Sequence, residues 1–184
     1  MGHPSAASSE WYVYEHTVEG LFFKALKPRV TPVVAEKLKA LGIDFSAKPK
    51  SLQHENWKKA LLVATELFEG TLDERYRHVG RSVLLRYEET LMGKTVVGLM
   101  RLLGPRRVLQ RINVSLRSGN NYIEANLVER SEKSFEGSIN ECNGNPNYIA
   151  GVIEQGLIIA GAKSQRVVVQ EFDGHRAKFL IEWT

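Results

Sequence analysis

The chain has a single cysteine and only five histidines in 184 residues. One thiol, Cys142, excludes an internal disulfide and any cysteine-cluster metal site within one chain. That usage fits a reducing compartment, so a cytoplasmic location is expected. The histidines stand at positions 3, 16, 54, 78 and 175. No two have the spacing of a helical zinc pair, and no His-Glu-x-x-His pattern occurs, so no metal is expected. No apolar run approaches the ~18 residues that a membrane helix needs. Residues 1–10 are small and polar, without a basic start and apolar centre, and read as a frayed tail rather than a secretory signal. Internal repeats and low-complexity segments are lacking.

Catalytic signatures are lacking too. Gly137 and Gly144 are not followed by Lys-Ser or Lys-Thr, and Gly93-Lys94-Thr95 lacks the preceding glycine of a phosphate-binding loop. Asp44, Asp73 and the scattered glutamates form no recognisable carboxylate pair, and Glu88-Glu89 reads as a solvated helix patch. No nucleophile, base and oxyanion donors can be assembled. The expectation is a protein that makes no bonds, hence no enzyme.

Acidic residues are scarce in one region. Between Arg75 and Gly119 there are ten basic side chains against Glu88 and Glu89, a local charge of +8 within a total of +4. Such asymmetry permits an anionic partner. Aromatic residues do not interleave with these arginines as stacking platforms for nucleic acid require, which ranks nucleic-acid binding third among the functions considered.

What is present is periodicity. Trp11–His16 reads as a short strand or extended arm, and Thr17 as the cap of a helix reaching about Leu26. Thr31-Pro32 places a capping residue before a first-turn proline, and Val34, Leu38 and Leu41 follow at helical spacing up to Gly42. Phe45–Ser51 reads as a loop. Trp57, Ala60, Leu61, Ala64, Leu67 and Phe68 mark another helical face ended by Gly70. Thr71 opens the longest helical region, with a bend or break expected near Gly93. Gly104-Pro105 ends one helix and starts the next. There Val108, Leu109, Ile112 and Leu116 share one side, while Arg106, Arg107, Arg111 and Arg117 form a basic face. The period then changes to two. Ile123, Ala125 and Leu127, then Phe135, Gly137 and Ile139, alternate as in antiparallel strands with one covered face. Asn145-Pro146 starts a strongly apolar helix ended by Gly161. Arg166–Phe172 and His175–Trp183 flank Asp173-Gly174, a hairpin signal.

These elements give an α+β fold: a helical part over residues 17–118, then a strand–strand–helix–strand–strand unit over 121–184 with a four-stranded antiparallel sheet, all within one domain, 11–184. Cys142, placed between a strand and the apolar helix, reads first as a buried or bystander cysteine, since no Cys-His pair can be assigned; the alternative is a site of covalent modification, because a helix N-terminus favours thiolate.

Several segments together resemble a myxobacterial paralogous family of small uncharacterised proteins. They are Val18-Glu19-Gly20-Leu21, Leu41-Gly42-Ile43-Asp44, Trp57, Gly80, Tyr87 through Thr90-Leu91-Met92-Gly93-Lys94, Leu103-Gly104-Pro105-Arg106-Arg107, Asn120-Asn121-Tyr122, Gly151-Val152-Ile153-Glu154 and Ile181-Glu182-Trp183. At greater distance the element order is similar to the superfamily of haem nitric-oxide-binding domains, vinyl-reductase-type sensors and vesicle-transport subunits. That resemblance implies an apolar cavity and a dimer formed through helices. The haem-binding members need an axial histidine on the helical part, and no histidine lies between His78 and His175. Zinc-binding sensor relatives carry several cysteines. Neither cofactor is therefore expected.

The reading is a non-enzymatic ligand-sensing domain in signalling, binding a small apolar or acyl molecule. Tyr87, Tyr122, Gly151 and Glu154 are its candidate ligand residues; the arginine face reads first as a solvated helix face, with an anion or partner surface as the alternative. The alternative is a homodimeric interaction or scaffold module.

Overall fold

The computed structural model describes residues 10–184. The tail expected over residues 1–10 falls, apart from Glu10, outside them. The described chain has a mainly helical first part and a four-stranded antiparallel sheet in the second part, an α+β fold.

Chain entry is tighter than the sequence suggests. Strand β1 (Tyr12–Val13) pairs with β2 (Leu52–Gln53), which is too short to leave a sequence pattern. Helix α1 (Glu15–Val18) begins before Thr17 because the Tyr14 carbonyl already accepts from Thr17 N–H and Val18 N–H. Thr17 lies buried inside the turn instead of capping it. A π-type turn, Glu19–Ala25, continues it. Helix α2 (Pro32–Ala40) is capped by the Thr31 hydroxyl as expected, and α3 (His54–Thr65) follows β2.

Helix α4 (Leu72–Leu85) opens with a capping box: Thr71 Oγ1 accepts from Glu74 N–H while the Glu74 carboxylate accepts from Thr71 N–H. The break after α4 falls at Tyr87–Glu89, one turn ahead of Gly93. Thr90 then caps α5 (Leu91–Gln110) by accepting from Gly93 N–H. Gly93 stays helical, and only glycine fits there: a Cβ would lie 1.7 Å from the Tyr87 carbonyl oxygen. Gly104, at φ 76° and ψ 167°, interrupts α5 before Pro105. Helix α6 (Ile112–Arg117) completes the helical part.

Strands β3 (Ala125–Ser131), β4 (Ser134–Ile139), β5 (Gln165–Phe172) and β6 (Ala177–Trp183) form the sheet in the order β3-β4-β6-β5, every pair antiparallel. Gly174 turns the β5–β6 hairpin at φ 104°, and Asp173 Oδ1 accepts from the His175 and Arg176 N–H groups. Helix α7 (Pro146–Ile159) lies against the sheet face carrying Phe135, Ile139, Val167, Phe179 and Ile181, all buried. Its other side meets α4 backbone to backbone. A Cβ on Gly80 would stand 2.0 Å from the Tyr148 carbonyl oxygen, and one on Gly151 2.2 Å from that of Arg77. The apolar helix is thus covered from both sides.

Candidate functional site

Four helices meet around a small, part-open apolar cavity. Val83 and Leu84 of α4, Val96 and Met100 of the first half of α5, Leu109 and Ile112 from its far end and α6, and Ile149 and Ile153 of α7 form its walls. Its volume is about 100 Å³. Gly156 keeps one wall thin: a Cβ there would touch Met100 Cε at 3.0 Å and Leu84 Cδ1 at 3.7 Å. The interruption at Gly104 lets α5 contribute to the cavity from both of its halves.

Polar groups cluster at one end, where Thr17, Ser115, Ser118 and Asn120 meet the wall. Most are already engaged. Asn120 Oδ1 accepts from Tyr122 N–H and Ile123 N–H, while its Nδ2 donates to the Leu116 carbonyl. Ser118 Oγ donates to the Ser115 carbonyl. Tyr87 closes the same region. Burial pushes its phenol up to about 12, and a hydrogen bond with Thr17 works in the opposite direction. A neutral phenol and satisfied amides leave a cavity whose character is set by aliphatic carbon.

Of the four residues the sequence nominates for a ligand, Tyr87 alone lines this cavity. Tyr122 is buried elsewhere: its hydroxyl donates to Asn143 Oδ1 at 2.7 Å and its ring stacks on Trp11 at 5.2 Å. Gly151 serves the α4–α7 contact. Glu154, 4% exposed, is held from outside the cavity by Arg77 Nη1 at 2.6 Å and Arg81 Nη2 at 2.8 Å. Asn147 Oδ1 accepts from the same Arg77 guanidinium, which also donates to the Val167 carbonyl. Gly151 and Glu154 join α7 to α4, and none of the three residues lines the cavity.

The basic face is partly spent within the chain. Arg106 pairs with Glu129 and Arg117 with Glu124, each at 2.8 Å, whereas Arg107 and Arg111 are exposed and form no salt bridge among the described residues. Cys142 is fully buried. Burial, with Glu141 close by, pushes its thiol up to about 12, opposite to the effect a helix N-terminus has on a thiol. Covalent modification therefore requires local opening.

The wall residues Val83, Leu109, Ile112, Ile149 and Ile153 belong to the apolar faces visible in the sequence. Nothing local separates a residue facing a void from one packed against a neighbour. A second feature had no sequence signal at all. His54 and Glu141, distant in sequence, are buried side by side with His54 Nε2 3.6 Å from Glu141 Oε1. Among the described residues, no group of three or more His, Cys, Asp or Glu is placed to hold a metal ion. No helix among them is long and apolar enough to cross a membrane.

Comparison with solved structures finds the same architecture in H-NOX proteins. A mutant H-NOX protein from K. algicida superposes with a TM-score of 0.68 at 12% identity, covering 92% of this chain and 96% of that one. The K. algicida H-NOX protein without that mutation gives 0.66 at 12% identity, over 92% and 95%. An H-NOX mutant from T. tengcongensis gives 0.57 at 18% identity, over 92% and 97%. At these identities the likeness is one of fold alone. No curated protein matches the sequence. The model of a family described as "Protein of unknown function (DUF2378)" matches residues 12–184, nearly everything the structure describes, and the chain belongs to that family.

Proposed function

We propose that this chain is a non-enzymatic ligand-sensing domain of cytoplasmic signalling that takes a small apolar molecule into the cavity between α4, α5, α6 and α7. The observation that carries this reading is the cavity itself, a part-open space of about 100 Å³ with mainly aliphatic walls. Apolar cavities of about 150 Å³ stay dry and take up benzene or xenon, and this one falls just below that scale. A long acyl chain needs more room.

Haem is the ligand that the fold brings to mind. The H-NOX neighbours include Fe(II) proteins and one whose haem redox potential is modulated by porphyrin distortion. The residues here do not suit it. Ligand pockets for cofactor-sized molecules run to about 300–1,000 Å³. No histidine or cysteine lines the cavity to serve as an axial ligand. Tyr87 and Tyr148 do line it, but burial pushes both phenols upward, against the phenolate that iron ligation uses.

The test is uptake. Xenon, benzene and indole are titrated into the protein while methyl NMR signals of Val83, Leu109, Ile149 and Ile153 are followed. Saturable shifts confined to these methyls, lost in Val83→Phe, are expected. Unchanged methyl signals at millimolar benzene and under xenon pressure refute the reading.

A second reading, a homodimer, is favoured by one surface. Leu91 and Leu102 of α5 are 87% and 81% exposed, and Met92 and Leu99 are also open to solvent. Eleven residues apart at about 100° each, the two leucines point within about 20° of one another, so an apolar stripe runs along the outer side of α5. Sedimentation of the wild type against Leu91→Glu/Leu102→Glu decides it: a dimer converted to a monomer supports the reading, and a monomer at both sequences removes it.

A further inference from the structure

His54 is 2% exposed, and neither ring nitrogen has a hydrogen-bond partner. An imidazole is costly to leave in that state, about 1–3 kcal/mol for each unsatisfied buried group. Its surroundings are specific. Glu141 Oε1 lies 3.6 Å from Nε2, and Glu55 Oε1 lies 3.6 Å from Nδ1. Trp11 approaches the ring edge-on at 5.3 Å and Tyr122 at 4.7 Å. A neutral imidazole carries one N–H and one lone pair. Whichever tautomer is present, the lone pair faces a carboxylate. The imidazolium has two N–H groups, one for each. The charge pattern around His54 therefore complements the protonated ring and opposes the neutral one.

We propose that His54 is a proton-binding site. On protonation, Nε2–H closes on Glu141 and Nδ1–H on Glu55, each across less than 1 Å. Every charged or titratable neighbour bears on this. Glu141 is itself 2% exposed and also meets His175 Nδ1 at 3.0 Å, while its Oε1 accepts from Asn143 N–H at 2.7 Å. Burial pushes the Glu141 carboxyl up, yet the two histidines and the Asn143 N–H outweigh it and hold the group below its ordinary range, so a carboxylate stands ready. Glu55 is more than half exposed and shared with Lys58 at 2.8 Å, with Lys59 nearby, so it is the weaker partner. Tyr122 and Cys142 are held in their neutral forms by burial and add no charge.

The consequence is mechanical. His54 opens α3 and its N–H donates to the Trp11 carbonyl, whereas Glu141 lies in the loop that enters α7. Asn143, at φ 55° and with an unpartnered buried Nδ2, receives the Tyr122 hydroxyl in that loop. A proton on His54 draws the N-terminal seam and the α7 entrance together. The site is independent of whether the cavity takes a ligand.

The experiment is a pH titration of the full chain, following all five histidine rings by long-range ¹H–¹⁵N NMR from about pH 8 to 5, the window in which histidines titrate. His54→Gln identifies the ring. If that variant does not fold, ring contacts to Trp11 and Tyr122 identify it in the wild type. Both His54 nitrogens are expected to reach the imidazolium range, with the Trp11 indole signal shifting at the same midpoint. Glu141→Gln should lower that midpoint by about one pH unit or more, as removal of a close opposite charge does, and Glu55→Gln by less. A His54 ring that stays neutral at pH 5, or a midpoint indifferent to Glu141→Gln, overturns the proposal.

Discussion

Gly151→Ala isolates what joins the apolar helix to the rest of the chain. The added methyl carbon would sit 2.2 Å from the Arg77 carbonyl oxygen and 2.9 Å from the Arg81 nitrogen. Both are backbone atoms of α4, so no side chain can swing aside. Helices α4 and α7 must part instead, which also stretches the Glu154 pairs with Arg77 and Arg81. Overpacking of this kind costs about 1–3 kcal/mol, and the absence of a yielding neighbour puts it at the top of that range. Alanine returns about 1 kcal/mol of helix propensity, leaving a net loss of about 2 kcal/mol. For a chain of this size that lowers Tm by about 4–8 °C. Gly98→Ala is the control. It lies in α5 with nothing within 4 Å of its added carbon, so propensity acts alone and Tm should rise by about 2–4 °C. Gly156→Ala should fall between them, since its closest contact is the movable tip of Met100. Thermal unfolding of the three variants by circular dichroism is sufficient. If Gly151→Ala and Gly98→Ala shift Tm in the same direction, backbone contact between α4 and α7 does not govern this seam.

Glu154→Ala strands two guanidinium groups. Removing one partner of a buried pair costs about 3–5 kcal/mol, but Arg77 and Arg81 are 25% and 39% exposed, so water recovers part and about 2 kcal/mol is expected by urea titration. Cys142 should resist a thiol reagent in the native protein at pH 8 and react fully in denaturant, because it is buried and its thiol lies near 12; rapid native labelling would contradict its placement. Tyr87 gives an alkaline limb. Its folded value near 12 exceeds the ordinary 10, so its contribution is complete below pH 10 and lost as pH rises from about 10 to 12. Tyr87→Phe should flatten that part of the stability–pH curve, read by urea midpoints.

The segments legible in the sequence are those whose information is local. Asn145-Pro146 and Gly161 bracket α7 because the cap is made within three residues: Asn145 Oδ1 accepts from Asn147 N–H at 2.9 Å. Asp173-Gly174 marks its hairpin for the same reason, and the alternation along β3 and β4 follows from a sheet covered on one face. The break near Gly93 is present as expected, but its cause is not the local one. Glycine weakens a helix, so Gly93 reads as the weak point; in the structure it is required by the close approach of the Tyr87 carbonyl, and the chain breaks just ahead of it. Thr17 likewise has the chemistry of a cap, but Tyr14 begins the helix first and burial takes Thr17 into the cavity end.

The candidate site was illegible for a deeper reason. Its walls come from four helices, and each wall residue obeys the apolar period of its own helix, so every local pattern is that of ordinary core. A void arises only in the mismatch between such faces. Here the mismatch follows from constraints set elsewhere: Gly80 and Gly151 fix how closely α4 meets α7, and Gly104 turns α5 so that its second half cannot continue along the first. Moving α7 away from α4 alters the chamber without touching a lining residue. Gly151→Ala, measured for benzene or xenon uptake as well as Tm, should therefore change ligand affinity even though Gly151 does not line the cavity. Unaltered uptake in a destabilised variant would mean that the chamber's shape is set by its own walls rather than by the helix contact beside it.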